Sequence, residues 1–191
     1  MTGLVVRPHE ASDRVAINRI ARAAFAEYEG AYEDWPSFID GIGQMAALGA
    51  GGDLLVAAHD AEPVGAVVHV GPGRPRNPIF PEEWSVIRML VVAPGHRGLG
   101  IGRQLVAACL DCARRADAPA VGLHTSPLMA SALRLYTAIG FRRDGDLPPI
   151  RGVPYGRYVL RAQQFDEAIA LLGGMRPEKR VESGPHPTFM P

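Results

Sequence analysis

Glycines and arginines dominate the stretch "VVAPGHRGLGIGRQL", Val91 to Leu105, which contains no acidic side chain. It follows an apolar run and leads into an amphipathic one, so it reads as strand, glycine-rich turn and helix. That arrangement aims free backbone N–H groups at an anion, and the helix dipole adds partial positive charge at the same end. Glycine also removes the Cβ that would hold phosphate oxygens away from the backbone. Spacing narrows the ligand. A G-x-x-x-x-G-K-[ST] phosphate loop would need Lys and Ser or Thr where Ile101 and Gly102 stand. A dinucleotide turn needs G-x-G-x-x-G with an acid at the end of the next strand. Gly98, Gly100 and Gly102 give G-x-G-x-G instead, and Asp117 comes before that strand. A plain strand-to-helix turn would explain one or two of these glycines, but not the series beside Arg97 and Arg103.

Other residues could do chemistry. Cys109 and Cys112 form a C-x-x-C, but they sit inside a predicted helix on its apolar side. A redox pair belongs at a helix N-terminus, and no second pair completes a zinc site, so both read as small core residues. His69 and His124 lie on predicted strands, where they could relay a proton or simply hold a structural hydrogen bond. Tyr136 falls on the apolar stripe of a helix between Ala132 and Ile139.

The elements that would position these groups follow from periodicity and turn residues. Gly3–Pro8 reads as a strand ended by proline, followed by a helix capped by Ser12 or Asp13 with Ile17, Ile20, Ala21, Ala24 and Tyr28 inward. Asp34–Leu48 predicts a second, glycine-weakened helix with Phe38, Ile42 and Met45 inward. "DLLVAAH" and "VGAVVHV" predict a hairpin. Pro72, Pro75, Pro78 and Pro81 make the following segment a loop. Trp84–Val92 is the strongest strand, followed by a helix through Ile101, Leu105, Cys109 and Cys112. "AVGLHT" is a strand, Ala130–Ile139 a helix, and Phe141–Arg143 and "YGRYVLRA" two last strands joined by "GDLPPIRGVP". The order predicts an α/β (α+β) fold, a mixed central sheet of about seven strands flanked by about four helices. Residues 1–162 form one domain. Residues 163–191 would hold a short helix through Phe165, Ile169 and Leu172, with a disordered tail from Gly173.

Lys plus Arg balances Asp plus Glu at 20 each, so bulk charge recommends neither nucleic acid nor an anionic membrane as partner. The N-terminus lacks the basic flank and apolar run of a signal peptide, and no stretch is apolar for long enough to span a bilayer. The expectation is a cytoplasmic protein with reduced thiols. The predominance of arginine over lysine suggests the coding bias of a GC-rich bacterium.

"RGLGIG" after "RMLVVAPGH" resembles the acyl-CoA signature R-x-x-G-x-G of the GNAT superfamily of N-acyltransferases. "ALRLYTAIGF" resembles that family's A-x-x-L-Y-x-x-x-G-F segment through Ala132, Leu135, Tyr136, Gly140 and Phe141. The resemblance covers about Leu4 to Arg161 and implies the GNAT fold. It also implies acetyl-CoA as cosubstrate, no metal, and direct acetyl transfer to a primary amine. Leu90, Val91 and Val92 would lie along the pantetheine arm, with an oxyanion donor near Val91 or Val92. Arg97, Gly98, Leu99, Gly100, Ile101, Gly102 and Arg103 would cradle the pyrophosphate. Tyr136 would protonate the departing thiolate. A glutamate near the start of the fourth strand often serves as base, which points to Glu83 or its neighbour Glu82. Met129 replaces an asparagine that many relatives place against the CoA arm.

The resemblance implies a small-molecule amine or a peptide as acceptor and is compatible with a homodimer. Glu27, Tyr28, Glu29, Tyr32, Glu33 and Asp34 suggest a wall for a cationic amine, whereas Arg74 and Arg76 suggest an anionic group. Acetylation of protein N-termini or lysines is the near alternative, and a non-catalytic acyl-CoA-binding module the distant one.

Overall fold

The computed structural model describes residues 3–174. Its strands are β1 (Leu4–Pro8), β2 (Asp53–His59), β3 (Glu62–Val70), β4 (Ser85–Val92), β5 (Ala120–Thr125), β6 (Arg142–Ile150) and β7 (Val153–Arg161). The helices are α1 (Arg14–Phe25), α2 (Trp35–Ile42), α3 (Ile101–Arg115), α4 (Ala130–Ala138) and α5 (Phe165–Gly174), with short 3-10 turns between elements. The strands form one sheet in the order β1-β2-β3-β4-β5-β7-β6. Only β4 and β5 run parallel; all other neighbours are antiparallel. The mixed α/β sheet matches the expectation.

The sheet has a core on each face. α1 buries Ile17, Ile20, Ala24 and Phe25 against Leu54, Val56, Val68 and Val86, and Phe38, Ile39 and Ile42 of α2 pack partly buried against the same core. On the other face, Leu105, Val106, Cys109 and Leu110 of α3 pack with Val67, Ile87, Val121 and Leu123, and with Phe165 and Leu172 of α5. Asp13 ties β1 to α1. Its carboxylate takes two bonds from the Arg7 guanidinium, at 2.7 and 2.9 Å, and accepts the Glu10 N–H at 2.7 Å. Asp13 serves as the N-cap position of α1, after a 3-10 turn over Ala11–Asp13.

Two expectations are corrected. The helix over Asp34–Leu48 stops at Ile42, where Gly43 becomes the C-cap, and Met45–Ala50 continues as a 3-10 turn. Glycines at 41 and 43 remove the helix preference that would have carried it through. The segment "GDLPPIRGVP" is not a linker but the end of β6, a two-residue turn and the start of β7. Arg151 and Gly152 both have positive φ, at 47° and 81°, as a tight hairpin turn demands. Pro148 and Pro149 are tolerated because β6 is the sheet's outer strand and its register with β7 shifts between Leu147 and Ile150. The predicted tail begins at Gly173, which with Gly174 closes α5; residues 175–191 lie outside the described residues. Among the described residues, no helix is long and apolar enough to cross a membrane.

The middle of the sheet is irregular. β4 pairs with β5 only through Ser85↔Val121 and Val86↔Gly122, and then the two strands part. On its other side, β4 slips one residue against β3 between Ala66 and Val68, and Met89 takes a positive φ of 53°. That is a bulge, which bends the strand and adds twist. The proline-rich loop before β4 is held by Phe80 and Trp84, which pack over Gly122 of β5. A Cβ at Gly122 would come within 2.7 Å of Phe80 Cδ1 and 3.1 Å of Trp84 Cε3. Gly122→Ala should therefore overpack this contact and cost about 1–3 kcal/mol, read as a lower midpoint in guanidinium unfolding. An unchanged midpoint would show that the loop is not seated there.

Candidate active site

The glycine-rich junction forms where β4 hands over to α3. A short turn over Pro94–His96 leads to Gly98 and Gly100, with φ of 77° and 82°, and Gly100 is the N-cap of α3. No side chain caps this helix end, and its first turn holds no acid, so its amides and dipole face outward. A Cβ at Gly100 would lie 2.7 Å from Arg103 Nη2, so the Arg103 guanidinium lies against the same turn. Gly95 and Gly102 are outside the left-handed region, and a Cβ at Gly102 would only touch Leu135 and Val92 at 3.9 Å. Left-handed backbone thus accounts for Gly98 and Gly100; Gly95 and Gly102 leave the cradle bare. Val91 and Ile101 are buried anchors, Leu90 and Val92 lean against the α3 core, and Leu99 is exposed. Arg97 turns the other way. Its guanidinium donates to the Ala24 carbonyl at 3.0 Å and pairs with Glu27 at 2.9 Å, tying down the end of α1.

Tyr136 is the one buried residue of α4, with its ring 5.6 Å from that of Phe141. Burial, and then the Cys109 thiol, hold its phenol well above the ordinary tyrosine range. Cys109 and Cys112 are free thiols, both pushed up by burial, and Cys109 belongs to the α3 core.

On the α1/α2 face, the gap between β4 and β5 collects polar groups. Arg88 of β4 is exposed, and its charge acts on His124 of β5. Burial, then Arg88, lower the proton affinity of His124, so its imidazole is neutral at pH 7. Its Nδ1 is buried without a hydrogen-bond partner, and so is Nε of Arg157, its cross-strand neighbour on β7. The His124 ring lies 5.6 Å from Tyr155, whose hydroxyl meets that of Tyr32 at 2.5 Å. Tyr32 stacks on Phe38 at 4.0 Å.

The charged walls expected from sequence are largely paired. Glu27 binds Arg97, and Asp34 binds Arg151 at 2.6 Å. Burial, then Glu27, push the Tyr28 phenol up to about 12. Arg74 pairs with Asp53 at 3.3 Å, while Arg76 donates to the carbonyls of Gly71, Pro81 and Trp84. Glu82 and Glu83 are exposed on the loop before β4, where their charge acts on Arg76.

His69 belongs elsewhere. It bridges Asp53 (Nδ1, 3.2 Å) and Ser85 (Nε2, 3.0 Å), the order of a nucleophile triad. Ser85 is 0% and His69 2% exposed, so no substrate reaches the hydroxyl and the line acts as a strut joining β2, β3 and β4. Sequence reading missed Arg88, although a lone charge inside the apolar run "SVIRMLVV" was a visible signal. It could not find the Met89 bulge or the Tyr32–Tyr155 pair, which depend on tertiary register. Among the described residues, no group of three His, Cys, Asp or Glu could hold a metal ion.

Residues 15–141 match the Acetyltransferase (GNAT) family. The L-methionine sulfoximine/L-methionine sulfone acetyltransferase of Salmonella typhimurium is 30% identical over 91 residues, which is 46% of this chain and 53% of that protein. The chain thus matches about half the length of that curated relative. Among solved structures, yncA from Salmonella typhimurium, determined with its cofactor acetyl-CoA, superposes with a TM-score of 0.61 at 20% identity, covering 83% of this chain and 94% of that one. Ribosomal-protein-alanine N-acetyltransferase from Brucella melitensis gives 0.62 at 22% identity, covering 83% and 99%. These likenesses establish the fold.

Gly100→Val would force a β-branched side chain into left-handed backbone, at about 1–2 kcal/mol, and fill the turn. Calorimetric titration with coenzyme A should show affinity falling about tenfold or more, while the far-ultraviolet dichroism stays that of the wild type. Unaltered affinity would remove the cradle assignment.

Proposed function

Because the chain belongs to the GNAT acetyltransferase family, we propose that it transfers the acetyl group of acetyl-CoA to the primary amine of a small molecule by direct attack. The observation that carries this reading is the uncapped N-terminus of α3, with Gly98 and Gly100 in left-handed backbone beside the open edge of β4. When bound, acetyl-CoA supplies an activated thioester. The amides of Gly98–Arg103 hold its pyrophosphate, and Arg103 adds charge there. Leu90–Val92 lie where β4 has left β5, so their free backbone can pair with the pantetheine amides. An N–H at Val91 or Val92 stabilises the carbonyl oxygen as charge builds on it.

The attacking amine must lose a proton as its nitrogen bonds to carbon. We assign that role to His124 in preference to Glu83. His124 is a neutral, half-buried imidazole beside the gap, whereas Glu83 is solvated on the loop with Arg76. Tyr136 keeps its proton at neutral pH and donates it to the leaving thiolate. Burial makes that proton harder to give, so Tyr136 assists rather than dominates.

Thiol release from acetyl-CoA across a panel of amines tests the whole reading. Tight coenzyme A binding with no amine-dependent release would instead support the non-catalytic module. The groups facing His124 are Arg88, Arg157, Tyr155 and the Phe80 ring. Protonation disables the base, and burial with Arg88 depresses its pKa, so kcat should fall as pH drops through a limb below about 6.5. His124→Asn should abolish that limb and lower kcat about 100-fold. Tyr136→Phe should lower kcat rather than raise KM. A limb that survives in His124→Asn would return the base to Glu83.

A further inference from the structure

Arg88 stands in the middle of the sheet, on a strand with neighbours on both sides, yet it is exposed. Such a position is normally covered by helix or filled by an apolar side chain, as Val86 and Val91 are on the same strand. It is open because β4 and β5 part after Val86 and Gly122. Its side chain lies on the α1/α2 face, since it pairs with Val68 and its charge reaches His124.

Most of the arginines around the site have acceptors. Arg97 holds Glu27 and Ala24, Arg151 holds Asp34, Arg157 holds Asp144 and Ile79, and Arg74 and Arg76 fasten the proline-rich loop. No carboxylate among the described residues pairs with Arg88. The orphaned Nδ1 of His124 is its neighbour across the gap, and the Tyr155 and Tyr32 hydroxyls lie beyond. A cation without a carboxylate partner and a neutral, half-buried imidazole therefore share the place where β4 and β5 part.

Resting on the acetyl-transfer reading, we propose that Arg88 is the specificity-determining residue of the acceptor site. It docks a carboxylate, so the acceptor is an amino acid rather than a simple amine. The guanidinium fork matches a carboxylate with two parallel hydrogen bonds. With the carboxylate on Arg88, the amine of the same molecule lies toward the half-buried imidazole of His124. The arginine thereby orients the nucleophile as well as selecting it. Glu27 and Asp34 of the α1–α2 segment are already paired to Arg97 and Arg151, which leaves the cation-binding wall a secondary feature.

The test compares common L-amino acids with their C-terminal amides as acceptors of the acetyl group. At least one amino acid should exceed its amide about 10- to 100-fold in kcat/KM, the scale of charge-assisted hydrogen bonds. Arg88→Gln should raise KM for that amino acid and collapse the preference toward one, whereas Arg88→Lys should restore part of it. In parallel, calorimetry on coenzyme A-loaded protein should show N-acetyl-L-amino acid binding that Arg88→Gln removes and that the N-acetyl amides lack. Amides turned over as well as, or better than, every amino acid would overturn the proposal, as would an Arg88→Gln loss equal for both. Absence of all amine turnover would overturn acetyl transfer instead. The calorimetric arm then decides Arg88 by itself: binding lost in Arg88→Gln supports it, and equal binding of acids and amides refutes it.

Discussion

The parting of β4 from β5 is the constraint on which the site depends. Two residue pairs hold the strands together at Ser85 and Val86. Beyond them, β4 keeps its ladder to β3 only by taking up the Met89 bulge. A continuous sheet would satisfy every backbone group of Leu90–Val92 internally and leave nothing to offer a ligand. Separation leaves that side of β4 without a partner strand in the centre of the sheet. It also decides which side chains become available, since Arg88 and His124 face one another across the space it opens.

Holding strands apart requires support on both sides. Gly122 admits Phe80 and Trp84 against β5, and Arg76 and Arg157 fasten the loop that carries them. His69 fixes the start of β4 to β2 and β3 through Asp53 and Ser85, just before the divergence begins. On the far side of the gap, β5 is paired with β7 along its whole length, so it cannot drift back toward β4. Gly65 lets α3 approach β3, since a Cβ there would meet Ile101 Cγ2 at 2.9 Å. The helix whose N-terminus faces the ligand is thereby fixed relative to the open strand.

Much of this was legible from local pattern. The hairpin of β2 and β3, the strand–turn–helix at Val91–Leu105, and the α4 segment with Tyr136 all follow from short-range periodicity and glycine spacing. The failures share a physical cause. The fate of "GDLPPIRGVP" depended on β6 being an outer strand, which is a fact of topology and not of composition. Arg74, Arg76 and Arg97 looked available for anions because sequence shows charges without their partners. The structure gives Arg97 to Glu27 and Arg74 to Asp53. Conversely, Arg88 drew no notice because its meaning rests on a counter-charge that is missing.

The buried polar atoms sharpen this point. Native folds pair nearly all such groups, because a donor or acceptor lost from water without replacement costs roughly 1–3 kcal/mol. Here the two orphans among the described residues, His124 Nδ1 and Arg157 Nε, belong to directly opposed residues on β5 and β7. Random imperfection would scatter them. Arg157 has its terminal nitrogens fixed by Ile79 and Asp144, so its position is determined by the loop and by β6. His124 has no such tether, only the Phe80 and Tyr155 rings beside it. A histidine held by packing and kept neutral by burial and by Arg88 suits the role of base assigned to it. The two unpaired atoms thus lie on opposed residues in the wall beside the gap between β4 and β5.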